Sequence, residues 1–169
     1  MNEEETRQIL RERAIRLART DAPEPVAQQR IVIFGLGGER YGLDIDNVVE
    51  IFSPETITPV PGARNAIQGV TNLRGDIVTV INLAAVLGLA GTIERGGRQV
   101  ILAAQGTITA GLLVDEILGI WDIPAASIDP PLNTIEKIRA EHLLGEFKVA
   151  DDLVGLLNVP NLLEAGNDA

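Results

Sequence analysis

The sequence predicts a mainly β protein, an all-β barrel or sandwich. Three observations carry that reading. There are about nine or ten short segments rich in β-branched and other apolar residues. Turn signals built from Gly, Pro and Asp recur between them. The long helices that parallel βαβ crossovers need are missing from the spaces between these segments.

The elements follow in order. Residues 1–20 read as an amphipathic helix, with Glu3, Glu4 and Glu5 at its start and Arg13, Arg16 and Arg19 towards its end, in keeping with the helix dipole. Leu10, Ala14, Leu17 and Ala18 form one narrow apolar stripe, suited to docking on the protein's own domain or on a partner. Pro23 and Pro25 then make residues 21–29 a linker. The segment 30–36 is apolar on both faces, as a core strand would be, and Gly37-Gly38 turns it into a second strand in which Tyr41, Leu43 and Ile45 alternate with polar or small residues. A short strand is expected at 48–53. Pro54, Pro59 and Pro61 cut the following stretch into extended pieces and turns. Residues 76–83 form a strong strand, followed by one helical turn at 84–87 that Gly88 ends. A glycine-rich loop at 89–97 leads to strands at 99–105, 108–115 and 116–123. Residues 134–144 have helical potential. Segments 145–150 and 153–159 read as a last hairpin turning through Asp151-Asp152, and Pro160 opens a short terminal helix.

Composition narrows the function classes. The 169 residues include no cysteine and one histidine, His142, so disulfides, thiol chemistry, cysteine-based metal sites and multi-histidine centres are excluded. The net charge is −10, and from residue 30 onward nine basic residues face eighteen acidic ones, the reverse of a nucleic-acid-binding surface. No apolar run reaches the roughly 18 residues of a membrane-spanning helix, and the charged N-terminus lacks a signal-peptide core. The expected location is the cytoplasm.

Few residues offer chemistry. Residues 35–40 carry Arg40 where a dinucleotide fingerprint needs glycine, and a strand follows, so the segment is a hairpin turn. Neither Ser53 nor Ser127 lies in a nucleophile elbow, and His142 is expected on a helix surface. This leaves a small-molecule-binding or hydrolytic β-barrel as a remote alternative. Asp44 and Asp46 would share a solvated strand face, and Asp115, closing an apolar strand, would cap a turn or meet a partner. The most informative stretch is 69–83. Arg74 is a long cation between strand-forming residues and ahead of Gly75, fit either for an internal ion pair or for a partner. Asn72 can bond neighbouring backbone in a turn.

At this point the sequence resembles the CheW-like family, the adaptors of bacterial chemotaxis arrays, over roughly residues 29–165. Four blocks stand in order: IVIFGLGGERYGLDIDNVVEI, ITPVPGARNAIQGVTNLRGDIV, GLLVDEILGIWDI and LVGLLNV. The N-L-R-G segment at 72–75 is the most specific. The resemblance implies two SH3-like five-stranded β-barrels packed together, with short helices and an N-terminal helical extension. It divides the chain into an N-terminal helix and linker (1–28), the CheW-like domain (29–165) and a tail (166–169). It implies a non-enzymatic adaptor, without cofactor or metal, that couples the cytoplasmic tips of methyl-accepting chemoreceptors to the regulatory domain of a CheA-type histidine kinase at the inner face of the membrane. A role in a pilus-motility or other chemosensory pathway is the alternative. Carried over by position, Val48, Glu50, Ile51, Gly69, Val100 and Ile120 would form the receptor groove, and Asn72, Arg74 and Gly75 would couple to the kinase. Gly69→Arg would then fill the groove without unfolding the domain. Thr79 and Asn82 depart from the family's usual proline and aspartate.

Overall fold

A computed structural model describes residues 3–8, 27–89, 99–131 and 140–167. Residues 3–8 form a helix, α1, with exposed side chains. The remainder of the expected helix at 1–20, residues 21–26 of the expected linker at 21–29 and residues 90–97 of the expected loop at 89–97 lie outside the described residues, as does most of the expected helix at 134–144, while Gln28 and Gln29 of the expected linker instead begin the first strand.

Ten strands follow: β1 (Gln28–Leu36), β2 (Glu39–Asp44), β3 (Val48–Phe52), β4 (Ile67–Leu73), β5 (Asp76–Asn82), β6 (Gln99–Gln105), β7 (Ile108–Val114), β8 (Glu116–Pro124), β9 (Leu143–Val149) and β10 (Asp152–Leu157). Two helices, α2 (Leu83–Val86) and α3 (Val159–Asn167), follow β5 and β10. Three expectations are corrected. Residues 143–144 begin β9, preceded by a 3₁₀ turn at Ala140–His142, so no helix runs to residue 144. Residues 67–73, which the prolines upstream suggested were broken pieces, make the full strand β4. The last hairpin turns one residue earlier, at Ala150-Asp151, and α3 continues past residue 165 to Asn167.

The strands form two five-stranded sheets, ordered β8-β1-β2-β10-β9 and β3-β6-β7-β5-β4. Each curls into a small barrel. Alternation along β1 explains why that strand reads apolar on both faces. Ile31 and Ile33 point into the first barrel's interior with Ile123, Phe147, Val154 and Leu156. Val32, Phe34 and Leu36 point the other way, into a larger core shared with the second barrel's Ile101, Ala103, Leu112 and Val114. Leu162 and Leu163 of α3 join the shared core. The second barrel's own interior is smaller: Val80, Val100 and Leu113, with Phe52 and Ile57 against them. Full burial of each such side chain contributes roughly 1.5–3 kcal/mol, so the shared core, rather than either lumen, dominates cohesion.

The two barrels have one design. Each has an edge strand (β8 or β3), a hairpin (β1–β2 or β6–β7) and a second hairpin (β9–β10 or β4–β5) joined to the first by a parallel contact. In chain order, β1–β5 and β6–β10 are two renderings of the same unit. Each barrel takes its first hairpin from one half and its other three strands from the other half. Matching details run deep. Ile31 would collide with a side chain at Gly42, and Val100 with one at Gly111. The edge strands slip register at Val49 and at Leu118. Asn82 and Asn158 donate their backbone N–H to Ala66 and His142, each at 2.8 Å. Loop residues Thr58 and Asp129 bridge to Val70 and Glu146.

Gly69 and its counterpart Gly145 show what that bridge demands. A Cβ on Gly69 would lie 2.8 Å from the Thr58 carbonyl carbon and closer still to its oxygen, and Gly69 has φ +154°. A Cβ on Gly145 would lie 2.6 Å from the Asp129 oxygen. Only glycine lets the loop close onto the strand at such range.

Candidate functional site

The β4–β5 hairpin closes through two residues, because Leu73 pairs with Asp76. Arg74 and Gly75 have φ of 53° and 88°, the double positive φ of a type I′ turn, whose twist matches that of the flanking strands. Arginine is an uncommon occupant of a left-handed position, where a side chain costs about 1–2 kcal/mol. Asn72 supplies a lock: its Oδ1 accepts the Gly75 N–H at 2.8 Å. The Arg74 guanidinium reaches across the barrel and donates from Nη2 to Glu50 Oε1 at 2.7 Å. The arginine side chain is 77% exposed and the glutamate 26%.

This ion pair spans the second barrel's two edge strands, which no ladder joins. Nearby, the Thr71 hydroxyl donates to the Thr56 carbonyl at 2.8 Å, tying β4 to the loop that follows β3. The pair is exposed enough to contribute under about 1 kcal/mol to stability. Its value lies in what it brings together. Val48, Glu50 and Ile51 sit on β3, and Asn72, Arg74 and Gly75 sit in the hairpin it touches. Val48 and Ile51 are half-buried against the shared core.

The remaining candidates lie apart from this cluster. Val100 is fully buried inside the second barrel, opposite Phe52, and presents no surface to a partner. Gly69 is buried against the Thr58 backbone. Gly69→Arg is therefore a fold-disrupting change, not the filling of an open groove, which corrects the expectation from the sequence. Ile120 stands on β8 of the first barrel, 54% exposed. It pairs with Val32 as Ile51 pairs with Ile101, so these two residues are counterparts in the repeated units.

Two apolar neighbours were not singled out in the sequence. Val49 is exposed at the irregularity in β3, and Ile77 is 69% exposed opposite Asn72. The alternation in β5 carried the signal for Ile77, since Val78 and Val80 point inward and leave residues 77 and 79 outside. Exposed apolar side chains beside a charged pair suit a protein-binding surface.

The residues weighed for catalysis do other work. His142 is buried rather than on a helix surface, with Glu141 Oε1 3.7 Å from its Nε2. The Ser127 hydroxyl donates to the Pro124 carbonyl at 2.7 Å. Asp44 and Asp46 do not share a strand face. Asp44 ends β2 and caps the 3₁₀ turn at Ile45–Asn47 by accepting the Asp46 N–H, and its other oxygen accepts from Gln29. Asp115 accepts the Gly37 N–H at 2.9 Å, which is the turn-capping role. A groove of about 380 Å³ beside Tyr41, Leu143, Leu153 and Gly155 lies in the first barrel, away from the Arg74–Glu50 pair.

The fold and this site define a class: a two-barrel β protein whose second barrel carries an exposed patch of apolar and charged side chains suited to protein binding. Comparison with known proteins gives the family. The CheW-like domain matches residues 30–167, and the chain belongs to that family. The chemotaxis protein CheW of Thermotoga maritima is 30% identical over 134 residues, 79% of this chain and 87% of that protein. Protein FrzA of Myxococcus xanthus is 33% identical over 141 residues, 81% of this chain and 86% of that one. The crystal structure of the scaffolding protein TtCheW from Thermoanaerobacter tengcongensis aligns with a TM-score of 0.75 at 30% identity, covering 83% of this chain and 90% of that one.

Proposed function

We propose that this chemotaxis adaptor couples chemoreceptor tips to a CheA-type histidine kinase, and that the second barrel carries both contacts. In this reading β3, through Val48, Glu50 and Ile51, meets the receptor, and Ile120 offers the equivalent exposed apolar position on β8 of the first barrel. Gly69 and Val100 shape that surface from within rather than touching the receptor. Asn72, Arg74 and Gly75 couple to the kinase. The observation that supports it most is the Arg74–Glu50 ion pair, which makes one unit of a strand and a hairpin 24 residues apart. A receptor contact that displaces Glu50 changes the partner of Arg74, so the two contacts communicate through a single charge pair. The protein needs no chemistry of its own for this role and acts as a non-enzymatic scaffold at the inner face of the membrane. Among the described residues no helix is long and apolar enough to cross one. The working unit is residues 28–167, from the start of β1 to the end of α3, with the preceding residues as an added docking element.

The second setting for the same device is a pilus-motility or other chemosensory pathway with its own kinase. The test is co-sedimentation of the purified protein with receptor-containing membranes and the CheA-type kinase of the same organism, with autophosphorylation read in parallel. A ternary complex with a changed kinase rate is expected. Arg74→Ala should still sediment with receptor while the kinase response drops several-fold. Binding to neither partner overturns the proposal.

A further inference from the structure

We infer that Asn72 is a positioning residue for Arg74, and that it acts by choosing the type of the β4–β5 turn. The inference rests on the coupling role proposed for Arg74. Its physical basis is the matched hairpin in the first barrel, which serves as an internal control.

The β9–β10 hairpin also closes through two residues, between Val149 and Asp152, on the same register as Leu73 and Asp76. Its first turn residue, Ala150, has φ 53°, the same value as Arg74. Its second, Asp151, is absent from the residues of positive φ, whereas Gly75 has φ 88°. The second barrel's turn has the φ signs of type I′, positive at both residues, whereas the first barrel's turn is positive at its first residue alone. A flip of the peptide between the two residues of a type I′ turn makes the second φ negative and reverses the direction of that peptide's N–H. Lys148 holds the place of Asn72, and a lysine side chain has no acceptor. A hairpin of this length thus forms without an asparagine at that position.

What Asn72 adds is a bond to the one group that the flip reorients. With Oδ1 on the Gly75 N–H at 2.8 Å, the Arg74–Gly75 peptide is held in the type I′ setting. A flip would turn that N–H away from Asn72 and lose the bond. Holding the peptide fixes the backbone from which the Arg74 side chain leaves towards Glu50, 2.7 Å from its Nη2. Glycine at 75 is the second half of the device, because it accepts the positive φ at no steric cost. Asn72 touches neither partner in this account.

Asn72→Ala, Asn72→Asp, Arg74→Ala and the double Asn72→Ala/Arg74→Ala variant are compared in the receptor–kinase assay, with thermal melts of the same samples. Asn72→Ala should melt within about 3 °C of the parent, as expected for one exposed hydrogen bond. It should lose kinase response about fivefold. Asn72→Asp, which keeps the acceptor, should recover most of the response. The double variant should be no worse than Arg74→Ala. A full response in Asn72→Ala alongside a damaged Arg74→Ala overturns the positioning role and leaves the coupling role standing. Additive losses in the double variant, or no recovery by aspartate, overturn it too. An undamaged Arg74→Ala removes both. Should Asn72→Ala fail to fold, Gly75→Ala decides. It leaves Asn72 in place but opposes φ 88°, so it should reproduce the loss, and an intact response overturns the inference.

Discussion

The two barrels share strand order, register slips and loop bridges, yet they finish the gap between their edge strands differently. In the second barrel, Glu50 and Arg74 close it with a charge pair. In the first barrel the matching positions are Gly119 and Ala150, neither of which can reach across. Instead Trp121 lies over Gly119, with ring atoms 3.0 Å from where a Cβ would be. One gap is charged and tied; at the matching place in the other barrel an indole packs on the glycine of its own strand. What both barrels keep, such as Gly69 and Gly145 or Val100 and Ile31, serves the scaffold. What only one has is free to serve a partner. By that criterion the proposed contacts at Glu50, Asn72 and Arg74 belong to what one barrel alone has, and Gly69 and Val100 belong to the scaffold.

The criterion can be broken by measurement. The largest effect belongs to the shared glycines. Gly69→Ala should lower unfolding free energy by roughly 3 kcal/mol, from overpacking against Thr58 together with a left-handed φ. Gly145→Ala, overpacked without that φ, should cost roughly 2 kcal/mol. Urea midpoints compare them directly, and a neutral Gly69→Ala would return this residue to the binding surface. The next effect is confined to the first barrel. Tyr41 is buried where the second barrel has Ala110. Burial, and then its 2.6 Å hydrogen bond to Glu39, push the hydroxyl well above the ordinary tyrosine value of 10.0. The native state therefore keeps a proton that the unfolded chain gives up, and stability declines as pH rises past that ordinary value. At pH 11 the loss should be roughly 1 kcal/mol, and Tyr41→Phe should remove it. The smallest effect separates the turns. Ala150→Gly relieves a left-handed alanine and should raise stability by about 0.5–1 kcal/mol. Arg74→Gly gains the same relief but loses the ion pair, so it should stay near the parent in stability while the kinase response falls. The difference between these two variants measures what the pair contributes to folding.

Much of this was legible in the sequence, and the exceptions have causes. The strands at 30–36, 99–105 and 108–115 announced themselves because both of their faces are buried. β4 did not. It is an edge strand with Gln68 and Asn72 on one face and the buried Gly69 and Thr71 on the other, so neither face reads as apolar, and three prolines precede it. The N-L-R-G segment was recognisable as a turn. The partner of its arginine was not, because Glu50 comes within reach only when the sheet curls and brings β3 beside the β4–β5 turn. The repetition was hidden for a related reason. The two halves agree in where the backbone must bend and approach, at positions such as Gly69 and Gly145, while Arg74 and Ala150, or Glu50 and Gly119, share no chemistry at all.

The exchange of hairpins between the halves also bears on synthesis. When β5 leaves the ribosome, β1–β2 has no β8 to its one side and no β10 to its other, and β3 lacks β6. Neither barrel can be completed until the second half emerges, roughly 4–15 s later at ordinary elongation rates. Through that interval Val32, Phe34 and Leu36 await Ile101 and Leu112, which the chain has yet to make. Long-range pairing of this kind folds slowly and exposes sticky intermediates. The nascent first half is thus the stage at which this protein most needs a chaperone.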